Sequence, residues 1–141
     1  MSLAPITLTH PSAGPGGTPM ALALPDQLAW TDEFAWRQVE QSAEYTTTGA
    51  LVLDAHAKQA GRPITLAGSQ TRAWCERGAL LTLRSWASQP GLVLTLAGLR
   101  NVTRQVVFDQ DAGALSAEPV HDWADPQDTD PYAITLKFLE L

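Results

Sequence analysis

Asp54 and His56 stand two positions apart in a stretch that reads as a strand, Thr46 to Ala57, so both side chains fall on one face. A carboxylate beside an imidazole is how an enzyme orients a general base. No nucleophile elbow accompanies the pair, and Ser69, Ser85, Ser88 and Cys75 carry no nucleophile signature. Cys75 falls on the apolar face of an expected helix and reads as a core thiol. The three histidines, His10, His56 and His121, form no His-x-x-x-His pair of the kind that holds a metal.

A second cluster, Asp122, Asp125, Asp128 and Asp130, lies in a turn-rich loop. Calcium takes six to eight oxygens, and such a loop can offer several. The alternating Asp pattern with its Gly and a closing bidentate Glu is missing. From Gln105 to Leu136 there is neither Lys nor Arg, so the loop reads as a solvated acidic patch facing a basic neighbour or water. Gly14-Pro15-Gly16-Gly17 lacks the preceding strand and following helix of a phosphate loop, and Asn101-Val102-Thr103 is a glycosylation sequon only in a secretory setting. No residue is therefore assigned a catalytic, cofactor-binding or metal-binding role; no cofactor is expected, and the chain is read as a protein that is not an enzyme.

Composition narrows the partners. The 141 residues are read as one domain, 45% hydrophobic and only 17% charged, with 10 Gly and 10 Pro. The formal net charge of −6 disfavours nucleic acid and anionic membranes, which attract basic surfaces. One cysteine leaves no internal disulfide framework. Met1 to Pro5 shows no signal-peptide pattern, and no apolar run reaches the roughly 18 residues of a membrane span. Most of the five Trp are expected in the core, with some at contacts, where Trp is enriched.

The elements follow from periodicity. Ile6 to Thr9 alternates as a short strand; Pro11 to Pro19, with three Pro and three Gly, is a loop or arm, so residues 1–19 are expected to be an extended or loop-rich N-terminus. Met20 to Leu24 alternates weakly before a turn at Pro25-Asp26, and Trp36 to Tyr45 suits a strand with one wet face. Thr46 to Ala57 reads as one long strand paired with the core, Gly49 marking a bulge or a close approach, with a helix start at Ala55 to Lys58 as the alternative, and Pro63 to Gly68 reads as a short strand. Cys75, Ala79, Leu83 and Trp86 share a helical face over residues 71–88, with Ser69 or Thr71 as cap and Pro90-Gly91 as stop. Leu92 to Leu96 and Thr103 to Phe108 form a hairpin around Gly98 to Asn101. Ala114 to Val120, weakened by Pro119, is an edge strand, and Tyr132 to Leu141 closes the chain as a docked strand. The expected fold is mainly β, a mostly antiparallel β-sandwich or split β-barrel with one flanking helix.

Strand, helix, hairpin and a closing strand Ile134-Thr135-Leu136-Lys137-Phe138-Leu139-Glu140-Leu141 together resemble small structural proteins of tailed-bacteriophage tail tips and baseplates, of the tail-tube and distal-tail kind. The resemblance covers Gly61 to Asp109 and the last strand, about half the chain, and rests on a style of sequence without a fixed motif. It implies a non-enzymatic virion subunit, made in the host cytoplasm, that forms a ring or connector with copies of itself and other tail proteins through sheet edges and arms. The chain is too short to carry the second, carbohydrate-binding-like domain of a full distal tail protein. Two other readings stand beside it: a carbohydrate- or protein-binding module using Trp30, Trp36 and Trp123 on one open surface, and a hydrolase using Asp54 and His56.

Overall fold

The computed structural model describes residues 6–25, 27–121 and 123–141. The first five residues of the expected arm, Asp26 of the expected turn and Asp122 of the acidic cluster lie outside the described residues.

The longest strand is the last. Pro131–Glu140 alternates buried and half-buried positions from Ile134 to Phe138, because the large apolar residues Ile134, Leu136 and Phe138 recur with period two and face the core. In chain order the strands are β1 (Ile6–His10), β2 (Met20–Leu24), β3 (Ala29–Trp30), β4 (Val39–Tyr45), β5 (Leu51–Ala57), β6 (Arg62–Ala67), β7 (Trp74–Glu76), β8 (Leu94–Leu99), β9 (Val102–Phe108), β10 (Leu115–Pro119) and β11 (Pro131–Glu140). The helix α1 (Arg77–Ala87) follows β7 directly. All pairings are antiparallel. One open sheet runs β2-β1-β8-β9-β11-β6-β3, and β10 and β7 join it along the first half of β11. The sheet thus divides at β11: residues 132–136 pair with β10, residues 138–140 with β9.

α1 lays Leu80, Leu83 and Trp86 on this sheet, where they join Leu8, Ile64, Leu66, Leu94, Leu96, Val106, Phe108 and Phe138 in one core. Phe108 and Phe138 are register partners with ring centroids 5.1 Å apart. The mainly antiparallel fold with one flanking helix is as the sequence reads; no helix of the described residues is long and apolar enough to cross a membrane.

Several boundaries are corrected. The helix starts at Arg77, because Trp74–Glu76 pairs with Pro131–Ala133 as a strand. Ser69 and Thr71 do not cap it; their hydroxyls meet each other at 3.1 Å in the turn before β7. The acidic loop caps it with main-chain oxygens: Arg77 N–H donates to Asp130 O at 3.0 Å and Gly78 N–H to Asp128 O at 2.9 Å, satisfying two of the helix's orphan donors. Residues 6–10 are no arm. β1 sits between β2 and β8 in the sheet, its Ile6, Leu8 and His10 buried, and Pro11 to Pro19 is the loop of the β1–β2 hairpin, tied at both ends. Thr46 to Ala57 is not one strand either, and does not pair with the core: Thr46 to Ala50 is a turn, and β5 pairs only with β4.

Candidate functional site

β4 and β5 form a two-stranded ribbon outside the main sheet, and every residue of both strands is exposed. Its turn closes because Thr46 N–H donates to Ala50 O at 2.8 Å, Gly49 N–H donates to Thr46 O at 3.0 Å, and Ala50 N–H reaches Thr46 Oγ1 at 3.1 Å. Gly49 supplies the φ of +83° that this turn needs and side chains rarely adopt; it is a turn residue and no bulge.

Cross-strand partners share a face, so the register sorts the ribbon into two sides. One side carries Val39 with Ala57, Gln41 with Ala55, Ala43 with Leu53, and Tyr45 with Leu51. The other carries Glu40 with His56, Ser42 with Asp54, and Glu44 with Val52. The ribbon is amphipathic: four rungs broken by one polar residue on one side, three carboxylates on the other. Yet the apolar side is bare, with Leu53 56% and Tyr45 76% exposed. An isolated hairpin is marginal in water, and an uncovered apolar strand edge invites pairing.

The root of the ribbon is held firmly. Lys58 N–H donates to Gln38 O at 2.7 Å, its ammonium lies 2.8 Å from a Glu40 carboxylate oxygen, and it stands 5.5 Å from the Trp36 ring centre. The hydrogen bond and charge of Lys58 keep the Glu40 carboxyl below its ordinary pKa. Below it, the segment between β3 and β4 is clamped to the body. Asp32 accepts from Thr65 N–H and Oγ1, both at 2.8 Å, and Glu33 takes a two-pronged bond from Arg100 at 3.0 and 3.1 Å while its carbonyl accepts from Arg62 at 2.6 Å. The guanidinium carbons of Arg62, Arg104 and Arg100 lie 4.7, 5.1 and 5.6 Å from the centre of the Trp30 ring. Burial, and the neighbouring Arg62 and Arg100, lower the pKa of Arg104 against the pull of Glu140 and Glu33. Trp30 Nε1 and Arg62 Nε are buried donors without a partner inside this cluster.

Asp54 and His56 therefore lie on the wet side of a solvent-exposed ribbon, across from Ser42 and Glu40, and no hydrogen bond joins them. Trp30 is buried beneath its arginines, Trp36 sits at the ribbon root, and Trp123 stacks on His121 at 4.8 Å; the first cannot line an open surface. Among the described residues no three His, Cys, Asp or Glu side chains gather as metal ligands, and Asp128 and Asp130 serve the helix through their carbonyls. Cys75 is buried, and burial with the nearby Glu76 pushes its thiol up to about 11, away from nucleophile chemistry.

Among the described residues, two clefts are of comparable size. One, about 400 Å³, lies among Gly68, Ser69, Gln70, Glu118 and Thr135. The other, about 420 Å³, runs between α1 and β10, walled by Leu80, Leu81 and Ala87 on the helix and by Leu115 and Ala117 on the strand, with Arg77 and Arg84 alongside. The sequence reading missed the ribbon as a separate unit. The period-two pairing of Val39–Tyr45 with Leu51–Ala57 around Thr46-Thr47-Thr48-Gly49-Ala50 was the signal that could have found it. No protein-family model, curated protein or solved structure matches the chain.

Proposed function

We propose that the chain is a non-enzymatic structural subunit that assembles with copies of itself into a ring or connector, in the tail tip or baseplate of a tailed phage or prophage, with other tail proteins as further partners. One observation carries the assembly part of this reading: an amphipathic β-ribbon, clamped at its root, holds its apolar side bare to water. A monomer gains nothing from such a ribbon, whereas an assembly gains the burial of Leu51, Leu53, Tyr45 and Val39 at about 25 cal/mol per Å² of apolar surface. The tail setting rests on the resemblance of the Gly61 to Asp109 unit and the closing strand.

Light scattering across a concentration series, with the intact chain and with residues 39–57 replaced by a two-residue turn, tests the assembly. The expected result is a multimer for the intact chain, seen as closed particles by negative stain, and a folded monomer for the shortened one. An intact chain that stays monomeric at every concentration overturns the reading.

A further inference from the structure

We infer that the bare side of the ribbon seats in the cleft between α1 and β10 of a second copy of this chain, giving a head-to-tail contact; this rests on the structural-subunit reading proposed for the chain.

Three observations place the ribbon there. The first is exposed apolar side chains within a cleft of mixed lining. The cleft is a trough bordered by α1 and β10, in which Leu81, 41% exposed, and the exposed Ala117 are the open apolar side chains, while Ala87 and Leu115 are half-buried against the core that holds Leu80. The ribbon offers Leu51, Leu53, Ala43 and Tyr45 on one side. The second is length. A seven-residue strand spans roughly 23 Å at about 3.3 Å per residue, and the eleven-residue α1 runs roughly 16 Å at about 1.5 Å per residue, so the ribbon lies along the trough with its root free to join its own body.

The third is charge. Arg77, Leu81 and Arg84 recur at helical spacing, which puts both guanidinium groups on the side of α1 that borders the trough. Neither Arg84 nor Arg77 has a carboxylate partner among the described residues; Arg77 donates to the Tyr132 hydroxyl at 2.9 Å, with its guanidinium carbon 5.8 Å from the centre of that ring. On the ribbon, Glu44 and Asp54 are carboxylates without an ion pair among the described residues. They sit on neighbouring rungs of the wet side, in diagonal positions roughly 7–8 Å apart. A ribbon two strands wide is narrow enough for a long arginine on the trough's rim to reach around its edge to them.

Ribbon and trough are different surfaces, so the contact is heterologous, and repetition makes a ring if the rotation closes and a filament if it does not. It also leaves each end of an open chain of subunits with one unused half: a bare ribbon at one end, an empty trough at the other.

That property supplies the test. Leu53→Asp spoils the ribbon and leaves the trough; the double change Leu81→Asp with Arg84→Glu spoils the trough and leaves the ribbon. All three side chains are exposed, so both variants are expected to keep the far-ultraviolet circular dichroism and the unfolding midpoint of a dilute wild-type subunit. In sedimentation velocity each variant alone should be monomeric, and an equimolar mixture should form a 1:1 dimer that grows no further. Asp54→Arg should weaken association at least tenfold at low salt, and combining it with Arg84→Glu in one chain should recover most of the loss. A trough variant that assembles like the wild type, while Leu53→Asp does not, overturns this seat and leaves the structural-subunit reading standing. A mixture that stays monomeric while the wild type assembles overturns it equally, and a wild type monomeric at every concentration overturns both.

Discussion

His10 Nε2 lies 2.9 Å from Gln89 Oε1, which ties the last residue of β1 to the turn that ends α1. The other ring nitrogen, Nδ1, accepts from Ser12 N–H at 2.9 Å, so the ring proton resides on Nε2 and donates to Gln89. The ring also packs against Trp86 with centroids 5.3 Å apart. His10→Ala removes both bonds and the packing of a buried side chain, and should destabilise the fold by about 1–3 kcal/mol. Gln89→Ala, at an exposed turn, should cost about 1 kcal/mol or less. Urea unfolding checks both, and equal losses from the two would sink the account. The same geometry means that removing residues 1–19 excises a strand from between β2 and β8 and should abolish cooperative unfolding; shortening Pro11 to Thr18 alone should not.

Gly78 holds a position in the first turn of α1 where glycine costs helix stability. A Cβ built there meets Asp128 O at 3.5 Å and Asp128 Cβ at 3.7 Å, which is ordinary contact, and the backbone is not in the left-handed region. Its N–H bond to Asp128 O survives any side chain. Gly78→Ala should therefore stabilise the protein by about 0.4–1 kcal/mol, partly through the unfolded chain. A rise in the thermal midpoint is the readout, and a fall would show that the acidic loop has less room than these distances indicate.

The Cys75 thiol, pushed up to about 11 by burial and by Glu76, keeps its proton longer in the folded state than in the unfolded one, whose ordinary value is 9.0. A raised acid of this kind contributes stability that is fully present below about pH 9 and lost as the pH climbs through 9 towards 11. Stability measured by urea should fall more steeply over that window in the wild type than in Cys75→Ala. At pH 8 a thiol reagent should label Cys75 no faster than the chain opens. Matched slopes for wild type and variant would remove the burial argument.

The core was legible because its elements bury one face each, and period-two or helical spacing reports that directly: Ile134, Leu136 and Phe138 in β11, and Leu83 and Trp86 in α1, are inside as their spacing reads. Three features were hidden for physical reasons. Trp74 to Glu76 continues the helical spacing of Ala79, Leu83 and Trp86, but its backbone bonds are taken by β11, a long-range pairing that local pattern does not encode. The helix cap comes from carbonyls of Asp128 and Asp130, and a main-chain oxygen has no residue signature. The ribbon looked like a core strand because Leu51-Val52-Leu53 is as apolar as a buried run; apolar character states that a surface needs cover and does not state whether the same chain provides it. The arginine cluster on Trp30 joins residues from β3, β6, β9 and the β8–β9 turn, so no spacing could reveal it.

Leu53 and Leu83 put the question of cover to measurement. Both are leucines in regular elements, one 56% exposed on β5, the other with no exposed surface under α1. In dilute solution Leu83→Ala should cost about 2–5 kcal/mol, transfer and cavity together, whereas Leu53→Ala should stay within about 0.5 kcal/mol of wild type. Concentration then separates them in the opposite sense. If the ribbon is covered by another copy, association stabilises the folded subunit by mass action, so the wild-type thermal midpoint should rise with protein concentration. Leu53→Asp should abolish that rise while leaving the dilute midpoint in place, because it removes the interface and none of the core. Leu83→Ala should lower the midpoint at every concentration and keep the rise. A wild-type midpoint that does not move over a hundredfold range of concentration would mean that the ribbon's apolar side meets no second copy, whatever else covers it.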